Sequence, residues 1–69
     1  MKRGDLVRAK YYTKQYDSRL RLKEMKEGSL GIILGFLPKQ RQYDPTFAQV
    51  FVDGQTWELN VDYFERVKP

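Results

Sequence analysis

The sequence predicts a small all-β barrel. Three features carry that expectation: an apolar, glycine-punctuated run at 28–36, an Asp-Gly turn between two alternating runs at 47–60, and a length of only 69 residues. A chain this short buries only about 60% of its unfolded surface, enough for one thin core. A single domain spanning residues 1–69 is therefore expected.

Taken in order, Gly4-Asp5 makes a turn. Leu6-Val7-Arg8-Ala9-Lys10 then alternates apolar with basic residues, as a half-buried strand does. Val7 and Ala9 should face inward, with Leu6 over one end of the barrel. Residues 11–27 have no clean period. Leu20, Leu22 and Met25 are their only aliphatic anchors. Leu22 and Met25 fit helical spacing, whereas Leu20 and Leu22 against Arg19, Arg21 and Lys23 fit a short extended arm. The segment reads as a long excursion between two strands, a kind of loop that is usually functional or disordered.

Residues 28–37 make the expected central strand. Ile32 and Ile33 are β-branched, Gly28-Ser29 and Pro38 bound the run, and its glycines, at about 1 kcal/mol each in a helix interior, argue against a helix. With period 2, Leu30, Ile32, Leu34 and Phe36 share one face, expected to fill the core with Val7, Ala9, Val50, Val52, Leu59 and Phe64. Gly31, Ile33, Gly35 and Leu37 share the other. Gly31 and Gly35 leave room for a bend or for the close approach of another segment.

Residues 38–46 are a polar loop. Phe47 to Asn60 is a β-hairpin, because Asp53-Gly54 is the sequence of a two-residue type I′ turn. The turn sets the register: Val52 opposite Gln55, Phe51 opposite Thr56, Val50 opposite Trp57, Gln49 opposite Glu58, Ala48 opposite Leu59. Ala48, Val50, Val52, Trp57 and Leu59 then point inward, and Phe47 and Phe51 point outward beside Gln49, Thr56 and Glu58. Val61-Asp62-Tyr63 suits a single 3₁₀ turn. Phe64 to Val67 is a last short strand with Phe64 and Val67 inward.

Five short strands, a long first loop, a tight hairpin and a 3₁₀ turn before the last strand describe a five-stranded SH3-like barrel. An OB-type barrel is the alternative, but it usually needs a longer chain and a helix between strands three and four. Gly4-Asp5-Leu6-Val7-Arg8, Gly28 to Ile33, Val50-Phe51-Val52-Asp53-Gly54, Trp57 and Phe64-Glu65-Arg66-Val67 resemble the small SH3-like barrel proteins common in phage genomes, mostly of unassigned function. The resemblance spans most of the chain and rests on fold-defining positions. It implies a small binding module, in the host cytoplasm if phage-encoded. The same barrel occurs in KOW-type ribosomal and transcription modules, and in small photosynthetic electron-transfer subunits that dock an acidic ferredoxin. Peptide-binding SH3 domains carry an aromatic groove that Tyr11, Tyr12 and Tyr63 would imitate. Trp57 departs from that pattern, since it lies on the fourth strand and is expected inward.

Composition narrows the chemistry. With no cysteine and no histidine, disulfides, the usual catalytic triads and the common zinc sites are excluded. Asp44, Asp53, Glu58 and Asp62 are scattered, and Gly31 and Gly35 lie within a strand that no helix follows, unlike a phosphate loop. No enzyme, cofactor or metal is expected. No apolar run approaches the ~20 residues of a membrane span, and the N-terminus lacks a signal peptide's apolar segment. A soluble cytoplasmic protein, monomeric or homodimeric, is the expectation.

The net charge is +4, and its distribution says more. Residues 1–28 hold nine Lys/Arg and four Asp/Glu, whereas residues 29–69 hold four and five. The aromatic residues also exceed what so thin a core needs. Tyrosines covering a barrel, ring inward and hydroxyl in water, account for some of them. Two binding functions remain. One is a protein-interaction module with Tyr11, Tyr12, Tyr16, Phe51 and Tyr63 as anchors and the basic loop steering an acidic partner. A homodimer through the Phe47/Phe51 face is a variant of it. The other is a nucleic-acid module in which Arg8, Lys10, Lys14, Arg19, Arg21 and Lys23 meet phosphates and the loop tyrosines stack on bases. Asp17, Glu24 and Glu27 interrupt that basic stretch, so the protein-interaction reading is preferred.

Overall fold

A computed structural model describes residues 1–67, so Lys68 and Pro69 lie outside the described residues. Asp53 and Gly54 both have positive φ, 50° and 77°, as a type I′ turn requires. They join β5 (Phe47–Val52) to β6 (Gln55–Asn60). The register is the one that the turn predicts, from Val52 opposite Gln55 to Ala48 opposite Leu59. Ala48, Val50, Val52, Trp57 and Leu59 are all buried.

This hairpin is one side of a five-stranded antiparallel sheet. β4 (Leu30–Phe36) pairs with β5 and with β1 (Leu6–Ala9), and β1 pairs with β7 (Phe64–Arg66), giving the order β6-β5-β4-β1-β7. A 3₁₀ turn, Val61–Tyr63, leads into β7, and the Asn60 side chain caps it by accepting from the Asp62 N–H at 2.9 Å. Val7, Ala9 and Phe64 complete the inner face of the sheet.

Three expectations are corrected. Residues 11–27 are not an open loop. They form a second two-stranded sheet, β2 (Thr13–Tyr16) with β3 (Leu22–Met25), so the described residues hold seven strands rather than the five expected. Neither sheet closes into a barrel: β6 and β7 are the edges of the larger one. The β2–β3 hairpin instead lies over the sheet's inner face, where Met25 joins the core and the Lys23 Nζ stands 4.4 Å from the centre of the Trp57 ring. The result is a slab measuring 32 × 32 × 18 Å.

The second correction concerns the facing of β4. Ile33 and Gly31 point inward, whereas Leu30, Ile32 and Leu34, expected in the core, are exposed on the opposite face. Phe36, also expected in the core, is about as exposed, beyond a β-bulge between Ile33 and Gly35. The cause lies at Gly31. A Cβ there would stand 2.6 Å from Val52 Cγ2, 2.9 Å from the Phe51 carbonyl oxygen and 3.0 Å from Val50 Cγ1. No side chain fits between β4 and the valines of β5, so only glycine can occupy the inward position, and parity places Leu30 and Ile32 outside. Third, Val67 is half-buried just beyond β7 rather than a core residue, and its N–H donates to the Leu6 carbonyl at 2.9 Å.

Gly31→Ala should therefore lower stability by about 1–3 kcal/mol, the usual cost of overpacking. The urea midpoint should fall with an unchanged denaturant slope. An unmoved midpoint would contradict this account of β4.

Candidate functional site

Because the hairpin covers only the inner face, no described residues cover the outer face of the five-stranded sheet. Its residues follow from the register. Leu6 lies opposite Ile32, Ile32 opposite Phe51, and Phe51 opposite Thr56. Leu30 and Leu34 extend this row along β4, and Phe47 extends it along β5. Leu30 is 52% exposed, Ile32 46% and Phe51 44%. Beyond Phe47, an open depression of about 280 Å³ is lined by Leu37, Pro38, Pro45 and Phe47 with Lys39, Gln40 and Asp44. A contiguous apolar face on a small domain marks an interaction site far more often than scattered exposed leucines do.

The rim of this face is polar and close to neutral. Arg8, opposite Leu30 on one side and Glu65 on the other, forms an ion pair with Glu65 at 3.3 Å. Glu58, Thr56 and Gln49 stand on the β5–β6 side. Of the residues proposed from the sequence, Phe51 and Arg8 belong here. Leu30, Ile32 and Leu34 were missed as surface residues, because β4 is apolar on both faces and alternation alone does not orient it; Leu6, expected over one end of the barrel, lies instead on this open face opposite Ile32.

The other proposed residues lie elsewhere. Lys14 and Tyr16 are on the outward side of the β2–β3 hairpin, opposite Glu24 and Leu22. Tyr12 precedes the hairpin, and hydrogen bonding to Glu24, ahead of burial and charge, raises its phenol above the ordinary value. Tyr11 meets Tyr63 edge-on, with ring centres 6.1 Å apart, so these two form one aromatic corner. Lys10, after β1, is tied by its backbone N–H to the Tyr63 carbonyl at 2.8 Å. Lys23 is turned inward over Trp57, and its ammonium donates to the Thr56 carbonyl at 2.8 Å. Arg21 lies 3.8 Å from Asp17 in the hairpin turn. Arg19, in the same turn, donates its backbone N–H to Asp17 at 2.8 Å. The six cations therefore do not form a single stripe. Arg8 is on the sheet's outer face, Lys23 faces the core, Lys14, Arg19 and Arg21 are on the hairpin, and Lys10 is exposed at the end of β1 beside Tyr63.

The hairpin turn has a feature that the sequence conceals. Leu20 takes φ 61°, a left-handed conformation normally left to glycine or asparagine, and its side chain is 81% exposed. Asp17 holds the turn by accepting the Arg19 and Arg21 N–H groups at 2.8 and 2.9 Å. Among the described residues there is no cluster of acidic residues, histidine or cysteine able to hold a metal ion, and no helix long and apolar enough to cross a membrane. Searches of protein-family models, curated proteins and solved structures return no match to the chain.

Two outcomes test the hairpin. Trp57 is the single tryptophan and is 1% exposed, so Lys23→Ala should shift its fluorescence to the red and cost about 0.5–1 kcal/mol of cation–π contact. Unchanged emission would mean that Lys23 does not cover the ring. The second outcome concerns pH. Hydrogen bonds from the Arg21 backbone first, then from Arg19, with the Arg21 and Lys23 charges, hold Asp17 below its ordinary 3.8. A depressed carboxyl contributes stability that is fully present above 3.8 and lost as pH falls through the lower folded value. The Arg19 and Arg21 amide resonances should therefore move together only below pH 3.8, and Asp17→Asn should abolish that shared titration.

Proposed function

We propose that this protein is a non-enzymatic protein-interaction module that binds through the outer face of its five-stranded sheet. The single observation behind the reading is the apolar row Leu6–Ile32–Phe51 with Leu30, Leu34 and Phe47 beside it, all exposed on a face that no other part of the described chain covers. Apolar anchors ringed by polar residues are the usual anatomy of a protein–protein contact. We also read the chain as an open variant of the SH3-like barrel. The sheet order β6-β5-β4-β1-β7, the excursion after the first strand and the 3₁₀ turn before the last all suit that connectivity.

Nucleic-acid binding is the weaker reading, because Lys23 is turned onto Trp57 and Arg8 and Arg21 each face a carboxylate. Lys10, Lys14 and Arg19 would have to carry it beside Tyr12 and Tyr16.

Immobilised wild-type protein and an Ile32→Lys/Phe51→Lys variant test the proposal side by side. From a lysate that also contains the free chain, the wild type should retain protein that the doubly substituted variant loses, and neither should bind mixed-sequence oligonucleotides in a salt-dependent way. Equal retention by both baits would overturn the reading. Oligonucleotide binding that weakens steeply with salt and disappears in a Lys14→Glu/Arg19→Glu variant would replace it with the nucleic-acid function.

A further inference from the structure

The interaction face does not by itself say what covers it, but its charge, size and position within the sheet do. We infer that the occupant is a second copy of this chain, packed sheet against sheet about a two-fold axis near Ile32. This inference rests on the outer face being a protein-binding surface and names its partner.

Charge is the first ground. A two-fold axis sets a surface patch against itself, so any strong net charge on the patch repels its own copy. The chain carries +4 overall, yet among the described residues the outer face holds Arg8, Glu58 and Glu65 as its only charged strand residues, with Arg8 already paired to Glu65. The excess positive charge lies elsewhere. Lys14, Arg19 and Arg21 are on the hairpin, which is packed on the opposite side of the sheet. Face-to-face packing therefore joins the near-neutral sides and directs the basic hairpins away from each other. An acidic partner would be drawn to the hairpin side instead, leaving the apolar face uncovered.

Position is the second ground. β4 is the central strand of the five, and Ile32 lies in the middle of the apolar row that crosses it. A row centred on the middle strand is centred for its two-fold mate as well, so Ile32 meets its counterpart while Leu6 and Phe51 of one copy flank it from both sides. Shape permits this, because small and branched apolar groups at the centre with aromatic and leucine side chains around them interdigitate across stacked sheets about 10 Å apart.

Area is the third ground. With strands about 4.8 Å apart and about 3.3 Å per residue, three strands of six or seven residues and the shorter β1 and β7, of four and three, make a face of roughly 400 Å². Two such faces together remove roughly 800 Å² from water, somewhat under the ~1,000 Å² that a stable interface clears and in the range of weak, transient pairs. The pairing should therefore be reversible and dependent on concentration rather than obligate.

Sedimentation velocity across about 1 μM to 1 mM tests the inference. The mass should rise from the 8.3 kDa of one chain towards twice that value, at low and moderate salt alike. Ile32→Lys and Phe51→Lys should each weaken dimerisation by about 30-fold or more, and Lys14→Ala should leave it unchanged. Ile32→Thr keeps a β-branched residue on the strand, so it separates a lost contact from a lost fold, and it too should weaken the dimer while circular dichroism stays unchanged. The chain has no cysteine, which allows a direct check of the axis. Ile32→Cys should oxidise to a covalent dimer, whereas Leu22→Cys, on the exposed side of the hairpin, should not. A single 8.3 kDa species throughout the range overturns the inference, as does a dimer indifferent to Ile32→Lys. If either occurs while bait retention still depends on Ile32 and Phe51, only the identity of the partner is wrong. If retention is also indifferent, the interaction face itself is wrong.

Discussion

The crowding at Gly31 is the constraint on which the rest of the structure depends. Val50 and Val52 of β5 and the backbone of Phe51 already occupy the space where its Cβ would lie. In a closely packed interior, strands can approach this far only where one of them has no side chain. With Gly31 inward, the alternation of β4 is settled for the residues up to the bulge. Ile33 then enters the core, and its amide and carbonyl bond to the segment before β1, with Ile33 N–H donating to the Asp5 carbonyl at 3.0 Å and Gly4 N–H to the Ile33 carbonyl at 2.8 Å. Slipping β4 by one residue would break these bonds and drive Leu30 and Ile32 into the valines of β5.

A thin core follows from that packing. Inward-facing residues on the sheet are mostly small or β-branched apart from Trp57, Leu59 and Phe64. The second layer is only a hairpin of two four-residue strands, with Met25 and Lys23 as the side chains that reach across. Lys23 suits this place because its methylene stem covers the indole while its ammonium keeps a backbone carbonyl and the ring face as partners. The hairpin's turn is held by Asp17, with Leu20 in a backbone conformation that leucine rarely adopts. Strain of this kind persists only where neighbouring contacts over-determine it.

How much was legible in the sequence depended on where each decision is made. Asp53-Gly54 decides locally: two residues that tolerate positive φ fix the turn, the turn fixes the register, and the inner face of β5–β6 follows with Phe51 outside. The 3₁₀ turn at Val61–Tyr63 is local in the same way. The β2–β3 hairpin was obscured because its turn uses Leu20 where glycine or asparagine is the usual signal, and because Thr13, Gln15 and Lys23 make a polar inner face. The orientation of β4 was hidden for another reason. Both faces of Leu30–Phe36 are apolar, so alternation is satisfied either way, and the deciding contact lies about twenty residues away on β5. Gly31 was seen as a place of close approach, but without its neighbour the sequence did not say which face was crowded. Since Leu30, Ile32 and Leu34 form much of the candidate face, the site was less legible than the fold.

The identities of those outer residues are the remaining link between fold and function. Inward positions are dictated by packing, and nothing in the packing of this domain dictates the outward ones. A strand that needs only conformational preference is served well by threonine, valine or tyrosine, and leucine is not among the residues that strands favour. Yet leucine stands at positions 6, 30 and 34, and phenylalanine at 47 and 51, on a face open to water. Solubility argues for polar groups there, and so does the hazard of sheets that expose apolar surface. Arg8, Glu58 and Glu65 at the margin show that the same strands carry charge without difficulty. The leucines are therefore unexplained by strand formation, and the whole apolar row, Ile32, Phe47 and Phe51 included, is unfavourable for an isolated monomer. Both objections disappear once the face is covered, because burial converts the exposed side chains into a second core on the far side of the sheet from the first.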